Sequence, residues 1–297
     1  LATAADGGIP ILRYSAPETI GTAGELAQGG TRLEVVALPQ RLDVNRGSLD
    51  LRVETSLAAT TSQGWLALVK NDDYLSASEH ASRLIATLAE MAAGRTDEAR
   101  LMAQARVDIG WLEAASLPTG GWCWYDYAGC EPSLFISAYA ALALGRASRQ
   151  DLAVKQAVLA RAMLLINNRS IGVGENTSRD VLQLQAFLAF VRAENGDTSV
   201  QPHLNRLYEQ RAGLNHWARA LLAMALNDVD ATVGSPAQRQ VQTLVGDLVG
   251  TATASATGAM WQEEEQGGWY FSTNTRSTAL VIEALTRLDP KNALLPN

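Results

Sequence analysis

The sequence predicts a mainly α-helical fold, an α/α toroid of paired helices with a short β segment at its N-terminal end. Helical periodicity and capping signals recur from residue 57 onward. Two helical stretches, residues 134–144 and 181–191, are apolar on nearly every face, so they need packing on both sides. Alanine is frequent in the predicted helices and lets backbones approach closely. Two concentric rings of helices supply that environment.

The N-terminal segment, residues 1–56, has the alternation of a β structure. Apolar and polar residues alternate over 31–38 and again over 48–54. A pair or trio of strands is marginally stable alone, so we expect these to be part of a larger sheet. The composition changes to helical patterns after residue 56, which divides the chain into a β segment, 1–56, and a helical domain, 57–297.

The helical domain is predicted to contain ten helices. Start signals are clear at Thr96-Asp97-Glu98 and Ser235-Pro236, where a capping side chain precedes an acid or a proline. A stop signal, Asp289-Pro290, follows the last helix. The predicted bounds are 57–70, 76–93, 96–115, 132–147, 150–166, 178–194, 199–210, 214–227, 236–250 and 275–288.

Composition excludes several classes of function. Hydrophobic residues make up 47% and charged residues 19% of the 297 positions, as in ordinary globular proteins. A net charge of −7 argues against nucleic acid as a partner, and no apolar stretch is long enough to span a membrane. Two cysteines and three scattered histidines are too few for a zinc site, so we predict no metal, no cofactor and no catalytic residue.

A weak internal repeat supports the toroid. Gly120-Gly121-Trp122 precedes one Ala/Leu helix, and Gly267-Gly268-Trp269 precedes another. In such a repeat the glycines turn tightly and the aromatic ring closes the end of the helical ring. The chain also opens in strand-like sequence without a targeting signal, so we expect it to be a piece of a longer protein.

Several stretches resemble, in order, the thioester domain of bacterial α2-macroglobulins and the segment that leads into it. The resemblance covers nearly the whole chain, and the order of the stretches carries it more than any one of them. They are Ala16–Gly24, Glu34–Pro39, Gly47–Leu57, Gln104–Arg106, Gly120–Trp124, Pro132–Tyr139, Trp269 and Thr275–Leu285.

The resemblance implies an α/α toroid inserted between strands of a CUB-like β domain, within a large protease-trapping protein. In that family a protease cleaves a bait segment, the molecule closes around it, and in many members a thioester acylates it. The implied partners are the other domains of the same protein and the trapped proteases. The implied location is the periplasm, the cell surface or the extracellular space.

The sequence departs from the family at the thioester. The bond joins a cysteine thiol to a glutamine side chain in a Cys-x-Glu-Gln motif. At the corresponding place, residues 74–84, Ser76 occupies the cysteine position and Glu79 the glutamine position, with His80 beside them. These residues cannot form the thioester, so trapping would be steric. Cys130 does not replace the motif, because Ser133 stands where the glutamine would be.

Two further sites have open alternatives. Cys123 and Cys130 either form a disulfide across a small loop, as export of the family favours, or are unrelated thiols. Trp122, Trp124 and Tyr125 either fill gaps between helices or form an aromatic surface for a partner.

Two other classes of function remain as alternatives: a toroid enzyme acting on polysaccharide or isoprenoid, and a free-standing protein-binding module. The acids at Asp228/Asp230, Asn71–Asp73 and Glu263–Glu265 are the candidates for the enzyme. We interpret them instead as helix-end, turn and solvated residues, and His80 as a surface or half-buried histidine.

Overall fold

The structure, a computed structural model, describes residues 29–31, 33, 35, 37–38, 64–69, 76–94, 97–125, 129–255, 258–264 and 273–295. The chain divides into two units, Leu1–Arg52 and Val53–Asn297. Most of the predicted β segment lies outside the described residues, as do Asn71–Asp73, Tyr74 and the second Gly-Gly-Trp stretch. The account below concerns the second unit.

The described part of the second unit is mainly helical, which confirms the predicted predominance of α-helix. The first helix, α1, is described over residues 64–69. The others are α2 (Ala77–Ala93), α3 (Glu98–Ala114), α4 (Leu134–Arg149), α5 (Gln156–Arg169), α6 (Arg179–Glu194), α7 (Gln201–Glu209), α8 (His216–Val229), α9 (Pro236–Gly250) and α10 (Asn274–Leu288). Strands β1 (Thr253–Ser255) and β2 (Gly258–Met260) form an antiparallel hairpin.

Where both ends of a helix are described, its bounds lie within two residues of the predicted ones except at α5. That helix begins at Gln156, six residues later than the pattern predicts. Asp151 has a φ of 59°, in the left-handed region, and the Leu152 amide donates a hydrogen bond to the Ala147 carbonyl, so residues 150–152 end α4 and cannot begin α5. The signal at Ser235 acts as expected, since Ser235 accepts a hydrogen bond at the start of α9. At the start of α3 the cap is Asp97, one residue after the hydroxyl that the pattern indicates, and it accepts a hydrogen bond from the Ala99 amide.

The helices of the second unit pack in two layers. Helices α2, α4, α6, α8 and α10 contact one another in that order and form the inner layer. Helices α3, α5, α7 and α9 lie outside, each against an inner helix next to it in the chain. Buried alanines make the close approach possible, and in α4 they are Ala138, Ala140, Ala141, Ala143 and Ala147.

The inner helices run in the same direction. Arg146, near the end of α4, forms ion pairs with Glu194 of α6 at 2.9 Å and Glu283 of α10 at 2.7 Å. Gln183, near the start of α6, accepts a hydrogen bond from the amide of Asn215 just before α8, at 3.0 Å. The carboxyl ends of inner helices therefore meet at one end of the unit, and their amino ends meet at the other.

Candidate functional site

Residues 76–80, the predicted place of the lost thioester, lie at the start of α2. Ser76 is the N-cap residue, and its amide donates a hydrogen bond to Glu79 Oε2 at 2.6 Å. The Ser76 side chain accepts from the backbone three residues on, which completes a capping box. The Ser76 and Glu79 side chains thus stabilise a helix start.

His80 is buried, and the expectation of a surface or half-buried histidine was wrong. Its ring stacks on Trp111 with the centroids 4.1 Å apart. Its Nδ1 lies 2.8 Å from Asp108 Oδ1, and the same carboxylate accepts from Arg83 Nε at 2.9 Å. Gln104 donates to the second oxygen at 3.1 Å. His80 therefore belongs to a buried polar cluster between α2 and α3.

Hydroxyl groups extend from this start of α2 toward α4. Ser76 Oγ lies 2.9 Å from Ser78 Oγ, and Ser82 Oγ lies 3.1 Å from the Tyr139 hydroxyl. Ser78 and Tyr139 both line a cavity between the inner helices. The start of α2 is thus next to that cavity.

The cavity has a volume of about 460 Å³ and is lined from all five inner helices. Aromatic rings make up much of its wall: Trp124, Phe135, Tyr139, Phe187 and Phe190. Arg276 of α10 also lines it, with its guanidinium 4.2 Å from the centre of the Trp217 ring. The arrangement suits an apolar molecule better than a polar one.

Ion pairs link the carboxyl ends of the inner helices. Glu194 accepts from Arg146 and Arg149, each at 2.9 Å, and lies 3.3 Å from Arg287. Burial alone would raise the pKa of Glu194, but its arginine partners outweigh that effect and lower it. The network fastens α4, α6 and α10 together and leaves Glu194 ionised.

Cys123 and Cys130 form a disulfide in the structure, with their Cα atoms 6.1 Å apart. Of the two alternatives for Trp122, packing between helices is the one observed, because this side chain is 1% exposed and donates from its indole to the Leu112 carbonyl at 2.7 Å. Trp124 is half-buried against the cavity, whereas Tyr125 is 66% exposed. The three residues therefore do not form one aromatic surface.

We expect thiol counting to detect the disulfide in solution. The denatured, unreduced protein should show no reactive thiol, and reduction should release two, because the sequence has only these cysteines. A Cys123→Ser variant, as control, should show one thiol without reduction. Two thiols in unreduced protein recovered from an oxidising compartment would contradict the pairing.

The acids considered as candidates for an enzyme site include Asp230, Glu263 and Glu264. Asp230 ends α8 and accepts from the Thr232 amide at 3.0 Å, in agreement with a turn role. Glu264 is exposed, but Glu263 is buried, so the expectation of a solvated run was wrong at that residue. Glu263 accepts from the amides of His216 and Trp217 at the start of α8. Its contact with α8 is distant in sequence, and no local signal predicts it.

The described residues hold no group of three or more His, Cys, Asp or Glu side chains arranged to bind a metal. Among these same residues, no helix has the length and apolarity that crossing a membrane requires.

Solved structures give the comparison with known proteins, since no protein-family model and no curated relative matches the chain. An α2-macroglobulin from Salmonella, reacted with methylamine, matches 80% of this chain with a TM-score of 0.61 and 17% identity. The Escherichia coli α2-macroglobulin, in a fragment from domain MG7 to the C-terminus, matches 80% with a TM-score of 0.59 and 18% identity. The same E. coli protein, activated by porcine elastase, matches 75% of this chain with a TM-score of 0.54 and 18% identity.

The chain spans only part of these proteins: 15% of the Salmonella chain, 37% of the E. coli fragment and 20% of the elastase-activated chain. Identity below one fifth establishes the fold alone. The chain therefore shares its fold with a region of bacterial α2-macroglobulins.

Proposed function

We propose that this chain is the thioester-domain-like region of a bacterial α2-macroglobulin-like protein that traps proteases. The observation that carries the proposal is the fold likeness to bacterial α2-macroglobulins over 80% of the chain. Among the described residues, α2, α4, α6, α8 and α10 line one cavity and α3, α5, α7 and α9 lie outside them, and this two-layer packing supports an α/α toroid. The proposed domains are a CUB-like segment at 1–56 and a toroid at 57–297.

Trapping by this protein would be steric and not covalent. A thioester needs a free cysteine thiol and a glutamine side chain. Ser76 and Glu79 provide neither, and the two cysteines of the sequence are bonded to each other. In this proposal the region acts as a rigid, non-catalytic part of the trap, and its partners are the other domains of the same protein and the captured protease.

The proposed location is the periplasm, the cell surface or the extracellular space. A disulfide across a short loop persists in oxidising compartments, which supports this choice.

The enzyme alternative has little support from the cavity. A glycosidase needs two carboxylates on opposite sides of its cleft, and a protonating cyclase needs a cluster of acids. Among the described lining residues Glu283 is the only acid, and Arg146 pairs with it at 2.7 Å.

The binding-module alternative also has little support, because it requires Trp122 on an exposed surface and this residue is buried.

We expect the protein to be inert to methylamine. An amine opens a thioester and adds its mass at the glutamine, but Glu79 has no activated carbonyl, so the intact mass should not change. The Salmonella α2-macroglobulin, which has been reacted with methylamine, serves as the positive control. A deficit of one water or one ammonia in the untreated protein, reversed by methylamine and mapped to residues 76–79, would contradict the proposal.

Steric trapping is tested with the full-length protein that contains this chain. After incubation with elastase, the protease should keep its activity on a small peptide substrate and lose it on a large protein substrate. No band joining the two proteins should survive denaturing electrophoresis. If the protease lost its activity equally on both substrates, the protein would be a different kind of inhibitor. If the protease kept its activity on both, trapping would be ruled out.

A further inference from the structure

The central cavity extends along the inner helices. Its lining on α4 runs from Phe135 to Arg146, a rise of about 16 Å at 1.5 Å per residue. Aliphatic side chains from four inner helices complete the wall between these levels. They are Ile85, Ile136, Leu142, Leu221 and Leu280. A volume of about 460 Å³ lies within the range of small-molecule sites.

The charged groups near the helix carboxyl ends are paired with one another. Arg146 lies there, and it pairs with Glu283 at 2.7 Å and with Glu194 at 2.9 Å. Glu283 also accepts from Arg287 at 2.7 Å. A ligand with a charged head group would have to displace one of these partners, so this end of the cavity selects against a charge of either sign.

Arg276, the remaining charged group among the described lining residues, has contacts of its own. Its guanidinium lies 4.2 Å from the centre of the Trp217 ring and 5.5 Å from that of Phe135. The Glu263 carboxylate also acts on it electrostatically. The guanidinium is therefore occupied within the protein, and it does not select an anionic ligand.

The uncharged polar groups of the wall are also occupied within the protein. Ser78 Oγ lies 2.9 Å from Ser76 Oγ, and the Tyr139 hydroxyl lies 3.1 Å from Ser82 Oγ. Trp124 likewise has an interaction of its own. Every polar side chain among the described lining residues thus has a partner. A polar group of a ligand would have to replace one of these partners or be buried unpaired, and either costs free energy.

We propose that the cavity binds an uncharged aromatic molecule, which is held by burial of its apolar surface and by contacts with the rings of the wall. Five aromatic side chains line the cavity, and ring pairs in offset or edge-to-face contact add to the free energy of burial. An extended peptide is a poorer occupant, because its N–H and C=O groups would need partners that the wall does not leave free. This site is independent of the proposed role in protease trapping, so either can fail without the other.

The test is fluorescence titration of the 297-residue chain with two probes that share one ring system. N-phenylnaphthylamine is uncharged, whereas anilinonaphthalene sulfonate carries a negative charge, and both become brighter in apolar surroundings. We expect the uncharged probe to bind at one saturable site. The sulfonate should bind more weakly by roughly tenfold or more, because its charge would be buried without a partner.

A pair of matched tryptophan variants places the binding in the cavity. Ile85→Trp puts an indole into the cavity from α2 and should weaken binding of the uncharged probe by roughly tenfold or more, since the two rings would compete for one space. Leu164→Trp is the control, because Leu164 is 60% exposed on the outer helix α5 and lies away from the cavity wall. Its affinity should be unchanged. Near-UV circular dichroism establishes that each variant is folded, and Leu280→Trp, on the α10 wall, replaces Ile85→Trp if that variant does not fold.

Three results of these titrations would overturn the proposal: no saturable binding of the uncharged probe, equal or tighter binding of the sulfonate, or undiminished affinity in the cavity variant. Binding to this chain that is absent from the full-length protein would also overturn it, because another part of that protein would then cover the cavity.

Discussion

Asp108→Ala should lower the free energy of unfolding by about 3–5 kcal/mol, the usual cost of removing one partner from a buried ion pair. Asp108 is 0% exposed and accepts hydrogen bonds from Arg83, His80 and Gln104. Its removal leaves the guanidinium of Arg83, itself buried, without this carboxylate. Urea unfolding followed by circular dichroism measures the change as a lower midpoint.

Two variants separate the ion pair from a general effect of mutation. Asp180→Ala, at an exposed position on α6, should change stability by less than about 0.5 kcal/mol. The double variant Arg83→Met/Asp108→Leu removes both charges and should be more stable than Asp108→Ala, because it does not leave the Arg83 guanidinium buried without this carboxylate. Equal losses in the single and double variants would show that the ion pair is not the source of the effect.

The helices could be predicted from the sequence because their signals are local. Asp97 and Ser235 cap helices that begin at the next residue, and the all-apolar face of α4 indicates an inner position. The start of α5 could not be predicted in this way. Residues 150–152 end α4, through the left-handed conformation of Asp151 and a hydrogen bond from the Leu152 amide to the Ala147 carbonyl, and no glycine or proline signals that turn.

The contacts of the candidate site are distant in sequence, and for that reason they escaped prediction. His80 meets Asp108 on the next helix, and Glu263 meets an amide 47 residues earlier in the chain. A histidine beside a serine-rich helix start has the same local pattern whether it is exposed or stacked on Trp111. The cavity is likewise formed by side chains from five helices, and no single segment contains its pattern.

Glu263 accepts hydrogen bonds from the backbone amides at the start of α8, the role that an N-cap side chain usually has. Asn215, the N-cap residue of α8, makes no capping hydrogen bond with its side chain. Glu263 instead lies 3.3 and 3.4 Å from the amides of His216 and Trp217, and it accepts a short hydrogen bond from Ser277 of α10. One carboxylate therefore satisfies the start of α8 and joins it to α10.

Glu263→Gln should lower the free energy of unfolding by about 2–3 kcal/mol at neutral pH, because charge-assisted hydrogen bonds become neutral ones. Burial alone would raise the pKa of Glu263, but hydrogen bonds from His216 and Ser277 outweigh it and lower the pKa. The stabilisation is therefore complete above the unfolded pKa, near 4.5, and is lost as the pH falls through the lower folded value. The difference between the unaltered chain and the variant should shrink in that acidic range.

Glu264→Gln provides the matched control for this prediction. Its carboxylate is the next one along the chain, but its side chain is 84% exposed and lies 3.4 Å from Arg179. Pairs of this kind contribute little in water, so the substitution should change stability by less than about 0.5 kcal/mol at any pH. Urea midpoints for the three proteins between pH 3 and 7 distinguish the two glutamates. A Glu263→Gln difference that stays constant over this range would mean that shape, and not the charge of the carboxylate, holds α8 against α10.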